Sequence, residues 1–226
     1  MKVLAIIPCF NEGENIKNVI EDLKIKTPDI DFIIINDGSF DNTNIVCIEN
    51  NYPFIDIPFN LGLSNAIQTG MCYALKNNYD MALQFDGDGQ HKPEYISRMI
   101  LLMTETQADI VIGVRKKKNG VRNIGSNLLK IAIKLTTSKY LTDPTSGMRL
   151  YNRKMIEEFA KNINYGPEPD TLAYLLNRGI LINEIPVEMN NRTAGTSYLN
   201  TLNAIIYMLR MFVSILIIQW FRYRRK

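Results

Sequence analysis

The sequence predicts an α/β fold, a mostly parallel twisted sheet flanked by helices, with a C-terminal amphipathic helix. Three observations carry this. Short apolar runs alternate with amphipathic stretches through the first half, three of those runs are followed at once by polar or glycine-rich residues, and the last segment is almost wholly apolar. At 226 residues and 46% apolar content the chain buries a sizeable core. The expected organisation is one domain over 1–200 and a helical appendage with a basic tail over 201–226.

The runs Val3 to Ile7, Phe32 to Ile35, Met81 to Phe85 and Asp109 to Gly113 read as buried strands. Between them Ile16 to Leu23, Asn42 to Asn51, Asn65 to Asn77 and Pro93 to Thr106 carry apolar residues at three- and four-residue spacing and read as crossover helices. From Arg115 to Leu141 the chain turns basic and then helical. Asp143-Pro144-Thr145-Ser146-Gly147 is a loop by its turn chemistry. A helix near Thr171 to Asn177, a strand near Ile180 to Val187 and a polar loop from Asn190 to Ser197 follow.

Ala204 to Phe221 is apolar except for Arg210, Ser214 and Gln219, which is short for a bilayer span and carries a costly mid-segment cation. Asn203, Tyr207, Arg210 and Ser214 fall on one narrow stripe, with a broad apolar face opposite. With Trp220 and the basic terminus this favours a helix lying at a membrane interface or packed on a membrane partner or a second copy, over a simple transmembrane helix. A buried core helix is the alternative.

Composition excludes several classes. The formal charge is +3, but Arg222, Arg224, Arg225 and Lys226 supply four positive charges, so the remainder sums to −1 and no nucleic-acid groove is indicated. Cys9, Cys47 and Cys72 lack ligand-like spacing and read as small buried hydrophobes in a reducing compartment. The first residues, MKVLAII, form too short an apolar run for a secretory signal and read as a core strand. The chain lacks the N-terminal glycine-rich phosphate loop expected of a nucleotidyltransferase.

The polar loops after the strands are Pro8 to Glu12, Asn36 to Ser39 and Asp86-Gly87-Asp88-Gly89-Gln90. In open α/β sheets ligands bind at the carboxyl ends of strands, so these loops should converge on one crevice. Asp86, Asp88 and Gln90 place three oxygens on alternate residues, suited in an extended segment to a hard divalent cation. Ser97 stands where a calcium loop needs its last glutamate, so Mg2+ or Mn2+ fits better than Ca2+.

IIPCFNEGENI, INDGSFDNT, NLGLSNAIQTG, QFDGDGQHKPE, IGVR and DPTSGMR occur in this order. Together they resemble the inverting nucleotide-sugar glycosyltransferases of the GT-A, Rossmann-like fold. Within that superfamily the chain is similar to the polyprenyl-phosphate sugar synthases, which include the dolichol-phosphate mannose synthases. The resemblance implies that Pro8, Phe10, Glu12, Ile35 and Asp37 hold the nucleoside, and that Asp86, Asp88 and Gln90 hold the metal on the donor diphosphate. It also implies that Arg115 and Arg192 lie near the phosphates and that Arg122 meets an acceptor phosphate. The implied partners are a nucleoside-diphosphate sugar, UDP favoured over GDP, a polyprenyl phosphate and a membrane surface at its cytoplasmic face.

A metal with arginines stabilises the negative charge that develops on the leaving nucleoside diphosphate. A lipid phosphate is already anionic and needs no base, whereas a saccharide hydroxyl does, and Asp143 is then the candidate base unless it only caps its turn. His91 reads as a support for the acidic turn or a direct contact. Asn60 to Ser64 reads as an anion-facing helix start or a plain turn. Glu168 sits between prolines, in a rigid acceptor-side loop or as an ordinary surface acid. The chain departs from the family pattern at Asn36, often an acid there, and at Tyr198, usually lysine. A catalytically idle subunit of a membrane complex is the reading from another class.

Overall fold

The structure, a computed structural model, describes residues 1–115, 122–162, 165–190 and 201–218, without the side chains of 122–124, 201–205 and 218. Seven strands, β1 (Val3–Cys9), β2 (Asp31–Asp37), β3 (Phe54–Ile57), β4 (Met81–Gln84), β5 (Ile110–Arg115), β6 (Arg149–Asn152) and β7 (Ile182–Val187), form one sheet in the order β3-β2-β1-β4-β6-β5-β7. All neighbours are parallel except β6, which runs antiparallel to both β4 and β5. The order reverses at β1, whose flanks are β2 and β4, and that reversal opens a crevice at the strands' carboxyl ends.

The helices are α1 (Ile16–Lys26), α2 (Thr43–Glu49), α3 (Leu63–Lys76), α4 (Ile96–Thr106), α5 (Arg122–Thr137), α6 (Arg153–Lys161), α7 (Pro169–Asn177) and α8 (Thr201–Val213), the last continuing as a π turn over Ser214–Ile218. Because both faces of the sheet are covered, the central strands are continuous apolar runs rather than alternating ones. Ile20, Cys47 and Met99, from α1, α2 and α4, pack on one face with Ile7 and Leu83. Ile67, Ile133, Phe159, Leu172 and Ile215, from α3, α5, α6, α7 and α8 with its π turn, pack on the other with Ile6 and Ile112. At Gly70 an added Cβ would stand 2.2 Å from Ile6 Cγ2, so glycine there lets α3 lie directly on β1.

Two strands differ from expectation: β3 and β6 are short, four residues each, and their alternation is too brief to read. Cys9 and Cys47 are buried, but Cys72 is exposed on α3, its thiol donating to the Ala160 carbonyl at 3.5 Å. No helix among the described residues is long and apolar enough to cross a membrane. Instead Met211 and Ile215 join the core, and α8 packs on α5 and α7.

Asp109 knots three strands at the far end of the sheet. Its carboxylate accepts from the Leu181 amide at 3.0 Å, Asn152 Nδ2 at 3.0 Å and Lys154 Nζ at 3.2 Å. Burial alone pushes its carboxyl up, but these donors hold it below the ordinary carboxylate value. A carboxyl depressed in the folded state gives stability that is complete above its unfolded value, about 3.9, and lost as pH falls through the lower folded value. The melting temperature is therefore expected to stay level above about pH 5 and to drop below about pH 4. Thermal scans of Asp109→Asn should show a shallower acid drop, from a neutral-pH stability lowered by about 1–2 kcal/mol.

Candidate active site

The loops after β1 and β2 are zipped together by side chains. Asn11 N–H donates to Ser39 Oγ at 2.9 Å, Phe40 N–H to Asn11 Oδ1 at 2.8 Å, Glu12 N–H to Thr43 Oγ1 at 3.0 Å and Gly13 N–H to Asp41 Oδ2 at 2.9 Å. The rings of Phe10 and Phe40 meet edge to face at 5.9 Å, with Phe40 87% exposed, which leaves aromatic surface open at the rim. Pro8 is half-buried at the end of β1. Glu12 is buried and accepts from Asn15 Nδ2 at 2.7 Å.

Two residues grouped with the nucleoside on sequence have other placements. Ile35 is fully buried in the core beneath α3, so its side chain does not face the crevice. Asp37, buried at the end of β2, accepts from the Leu61 and Gly62 amides, both at 2.8 Å, and so fixes the loop that starts α3. Gly62, at φ +88°, supplies a conformation other residues resist. Asn36, in place of an acid, donates to Asp56 Oδ1 at 2.7 Å, which keeps a carboxylate one strand away.

The acidic segment lies against β1: a Cβ on Gly87 would stand 2.6 Å from Cys9 Sγ and 3.3 Å from the Pro8 carbonyl. It is a turn rather than an extended strand, with Gly89 at φ +77° and Asp88 Oδ1 accepting the Gln90 amide at 3.0 Å. The oxygens of Asp86, Asp88 and Gln90 thus come from an Asx-type turn, not from strand alternation. His91, almost fully buried, accepts the Asp86 amide on Nδ1 at 2.9 Å, which leaves the ring proton on Nε2, 3.4 Å from Asp86 Oδ2. It packs edge on to Phe85, and both contacts make it a brace for the turn.

A second loop closes the other side. A Cβ on Gly147 would meet Asp86 Oδ2 at 2.7 Å, so the Asp143–Gly147 loop sits on the acidic turn. Arg115, ending β5, donates through Nε to Asp143 Oδ2 at 2.9 Å and through Nη2 to Thr145 Oγ1 at 3.1 Å. Burial would raise the Asp143 carboxyl, but the Arg115 guanidinium and the Thr145 hydroxyl hold it below the usual range. Glu184 on β7 accepts the Thr142 and Asp143 amides at 2.7 and 3.1 Å.

Sequence reasoning missed Arg149, the final residue of DPTSGMR. Almost fully buried, it donates Nε to the Ser146 carbonyl and Nη2 to the Pro144 carbonyl, both at 2.8 Å, and so holds the loop from behind. The signal was present as a cation directly before the apolar pair Leu150 and Tyr151. Glu168 precedes α7 without a side-chain cap bond to it, and accepts from Ser64 Oγ instead, which joins this segment to the start of α3.

The strap after β7 reaches the same turn: Asn190 N–H donates to the Gln90 carbonyl at 2.9 Å. Arg192, Tyr198 and the side chain of Arg122 lie outside the described residues. A cleft of about 550 Å³ lined by Lys24, Asp31, Phe32 and Tyr79 opens at the strands' amino ends, away from these loops.

Among the described residues no three His, Cys, Asp or Glu side chains gather as a metal cluster. The turn instead offers two partly exposed carboxylates and an amide, all hard oxygen donors. Such a set fits a divalent cation that keeps positions for phosphate oxygens.

The glycosyl transferase family 2 model matches residues 4–160, most of the chain, including the loops after β1, β2 and β4 and the Asp143–Gly147 loop. The chain belongs to glycosyl transferase family 2. It has the GT-A fold and is a nucleotide-sugar-dependent glycosyltransferase. The polyprenol monophosphomannose synthase of Mycolicibacterium smegmatis is 27% identical over 219 residues, 89% of this chain and 82% of that protein. A UDP-N-acetylglucosamine–dolichyl-phosphate N-acetylglucosaminyltransferase of Methanococcus voltae is 30% identical, over 82% of this chain and 84% of that one. Glucosyl-3-phosphoglycerate synthase of Mycobacterium tuberculosis, solved with Mn2+, UDP-glucose and phosphoglyceric acid, superposes with a TM-score of 0.73 over 96% of this chain and 79% of its own. At 15% identity that likeness concerns the fold.

Proposed function

We propose that this family 2 enzyme moves a hexose, with inversion in a single displacement, from a nucleoside-diphosphate sugar to a polyprenyl phosphate. The product is a lipid-linked monosaccharide for cell-surface polysaccharide, made at the cytoplasmic face of the membrane. The observation that carries the choice of acceptor is the Arg115–Asp143 ion pair. A carboxylate held below its ordinary pKa by a guanidinium is a poor base for a sugar hydroxyl, whereas a phosphate oxygen arrives already charged. The names of the two sequence relatives above, from Mycolicibacterium smegmatis and Methanococcus voltae, point to the same acceptor class.

Phe10 and Phe40 would bracket the base, Asp37 would hold the α3 loop beneath it, and Arg115 and Arg192 would face the phosphates. Asp86, Asp88 and Gln90 would hold Mg2+ or Mn2+, which supplies charge stabilisation to the departing diphosphate when bound. Arg122 opens α5, a helix start where an anion is favoured, and would receive the acceptor phosphate. Uridine is favoured over guanosine as the donor base.

Radiolabelled UDP-sugars offered with undecaprenyl phosphate and with oligosaccharides should give product on the lipid. Product on the saccharide alone would overturn the proposal. Asp143→Asn is expected to keep activity within about tenfold and to leave the rate flat between about pH 6 and 9. A loss of about 10⁴ with a vanished basic limb would identify a general base instead.

A further inference from the structure

The described part of α8 is turned inside out. Ser214 is buried and its hydroxyl donates to Asp170 Oδ2 at 2.6 Å, while Tyr207 is half-buried against the core. The polar stripe therefore faces the protein at these two positions, and Arg210 alone of its described side chains is exposed. What faces solvent is Ile206, Leu209, Val213 and Ile217, each about half exposed and spaced by three, four and four residues.

The neighbouring α5 has the same pattern. Leu129, Ala132 and Ile133 are buried in the core that receives Met211 and Ile215, whereas Leu128, Ile131 and Leu135 are exposed. The two helices touch so closely at Gly125 that a Cβ there would lie 2.8 Å from Met208 Cγ. Lys134, Lys139 and Tyr140 are exposed at the end of α5. A helix at a water surface ordinarily spends its outer face on charge, and apolar stripes on two adjacent helices mark an interaction surface.

The charge distribution says with what. Residues 115–142, which contain α5, carry eight Lys or Arg and no Asp or Glu; residues 191–226, which contain α8, carry six and none. The rest of the chain keeps twelve basic against 23 acidic residues, so a net +3 is the sum of +14 on these two segments and −11 elsewhere. Among the described residues Lys134, Lys139 and Arg210 are exposed on or beside the two helices and neither helix carries an Asp or Glu, so apolar stripes accompanied by cations match an anionic lipid surface. A second copy docking face to face would bring like charges together.

We propose that the outer faces of α5 and α8 together form a docking surface that lies on an anionic bilayer without crossing it. The surface adjoins the proposed acceptor side, since α5 opens at Arg122, the residue proposed above to receive the acceptor phosphate. The proposal deepens the lipid-phosphate reading above and rests on it for its purpose.

The test is flotation of the full-length protein with vesicles of phosphatidylcholine alone or with about one third phosphatidylglycerol. Binding to the mixed vesicles should exceed that to neutral ones at least about fivefold and weaken with salt. Ile131→Asp with Val213→Asp should lower it at least about tenfold, and the milder Leu135→Gln with Leu209→Gln about threefold. Leu101→Asp, at an equally exposed leucine (56%) on α4 across the sheet, should bind as wild type. Unaltered binding by both double variants, or an equal loss in Leu101→Asp, overturns the proposal. So does a wild type that ignores vesicles but sediments as a dimer dispersed by Ile131→Asp with Val213→Asp.

Calorimetric binding of UDP with Mn2+, measured without lipid, should be the same in the double variant and the wild type. If the wild type ignores vesicles yet glycosylates lipid phosphate in detergent, the docking surface falls and the function stands. If it binds vesicles through these residues yet glycosylates only saccharides, the function falls and the docking surface stands.

Discussion

Asp88→Asn is expected to lower kcat/KM by about a thousandfold while leaving the protein folded. Asn keeps the Oδ1 acceptor that the Gln90 amide needs, so the turn should survive and the melting temperature should move little. The substitution removes one of the two carboxylate charges that the turn presents toward the crevice. Because the donor diphosphate gains negative charge as the sugar leaves, a cation held there matters more in the transition state than in the ground state. The loss should therefore appear mainly in kcat. Calorimetry should also show that Mn2+ no longer strengthens UDP binding. Unchanged turnover would remove the metal from the scheme, and a wild type that binds no UDP with or without Mn2+ would favour a catalytically idle subunit.

Much of the crevice was legible because its loops follow strands whose apolar runs are unmistakable. Val3 to Ile7 and Met81 to Phe85 lie side by side as β1 and β4, which brings Pro8 and Gly87 together. What sequence could not give is the partner of each polar side chain. The family resemblance puts Asp37 among the groups that hold the nucleoside, yet its carboxylate oxygens are used by amides 24 and 25 residues on. Asp143 reads as a candidate base or as a turn cap, and the guanidinium that pairs with it lies 28 residues away.

Ile35 was misplaced for a related reason. With both faces of β2 covered, an apolar residue near the strand's end points into a core as readily as into the crevice. Periodicity found the polar stripe of α8 but not its direction, since Ser214 is satisfied by Asp170 on a helix that only the fold brings near. The two-residue faces of β6 gave too little alternation, and with β6 went the buried role of Arg149.

Gly147→Ala should lower kcat/KM by about a hundredfold with little loss of stability. The backbone there needs no left-handed conformation, so alanine brings no intrinsic strain. Its methyl would arrive 2.7 Å from Asp86 Oδ2 and 3.3 Å from Asp86 Cγ. The carboxylate is the far end of a partly exposed side chain and can swing aside at small cost to the fold, but it then leaves its place 3.4 Å from His91 Nε2. A misplacement of about 1 Å at a group that holds charge during reaction is enough for a loss of this size. Gly179→Ala is the opposite case: at φ +80° with open space around it, alanine there costs about 1 kcal/mol of stability and should leave kcat/KM untouched. Thermal melting and steady-state rates on both variants separate the two mechanisms. Gly147→Ala activity equal to wild type would mean that Asp86 tolerates displacement, and the acidic turn would then not be the place where the donor's charge is met.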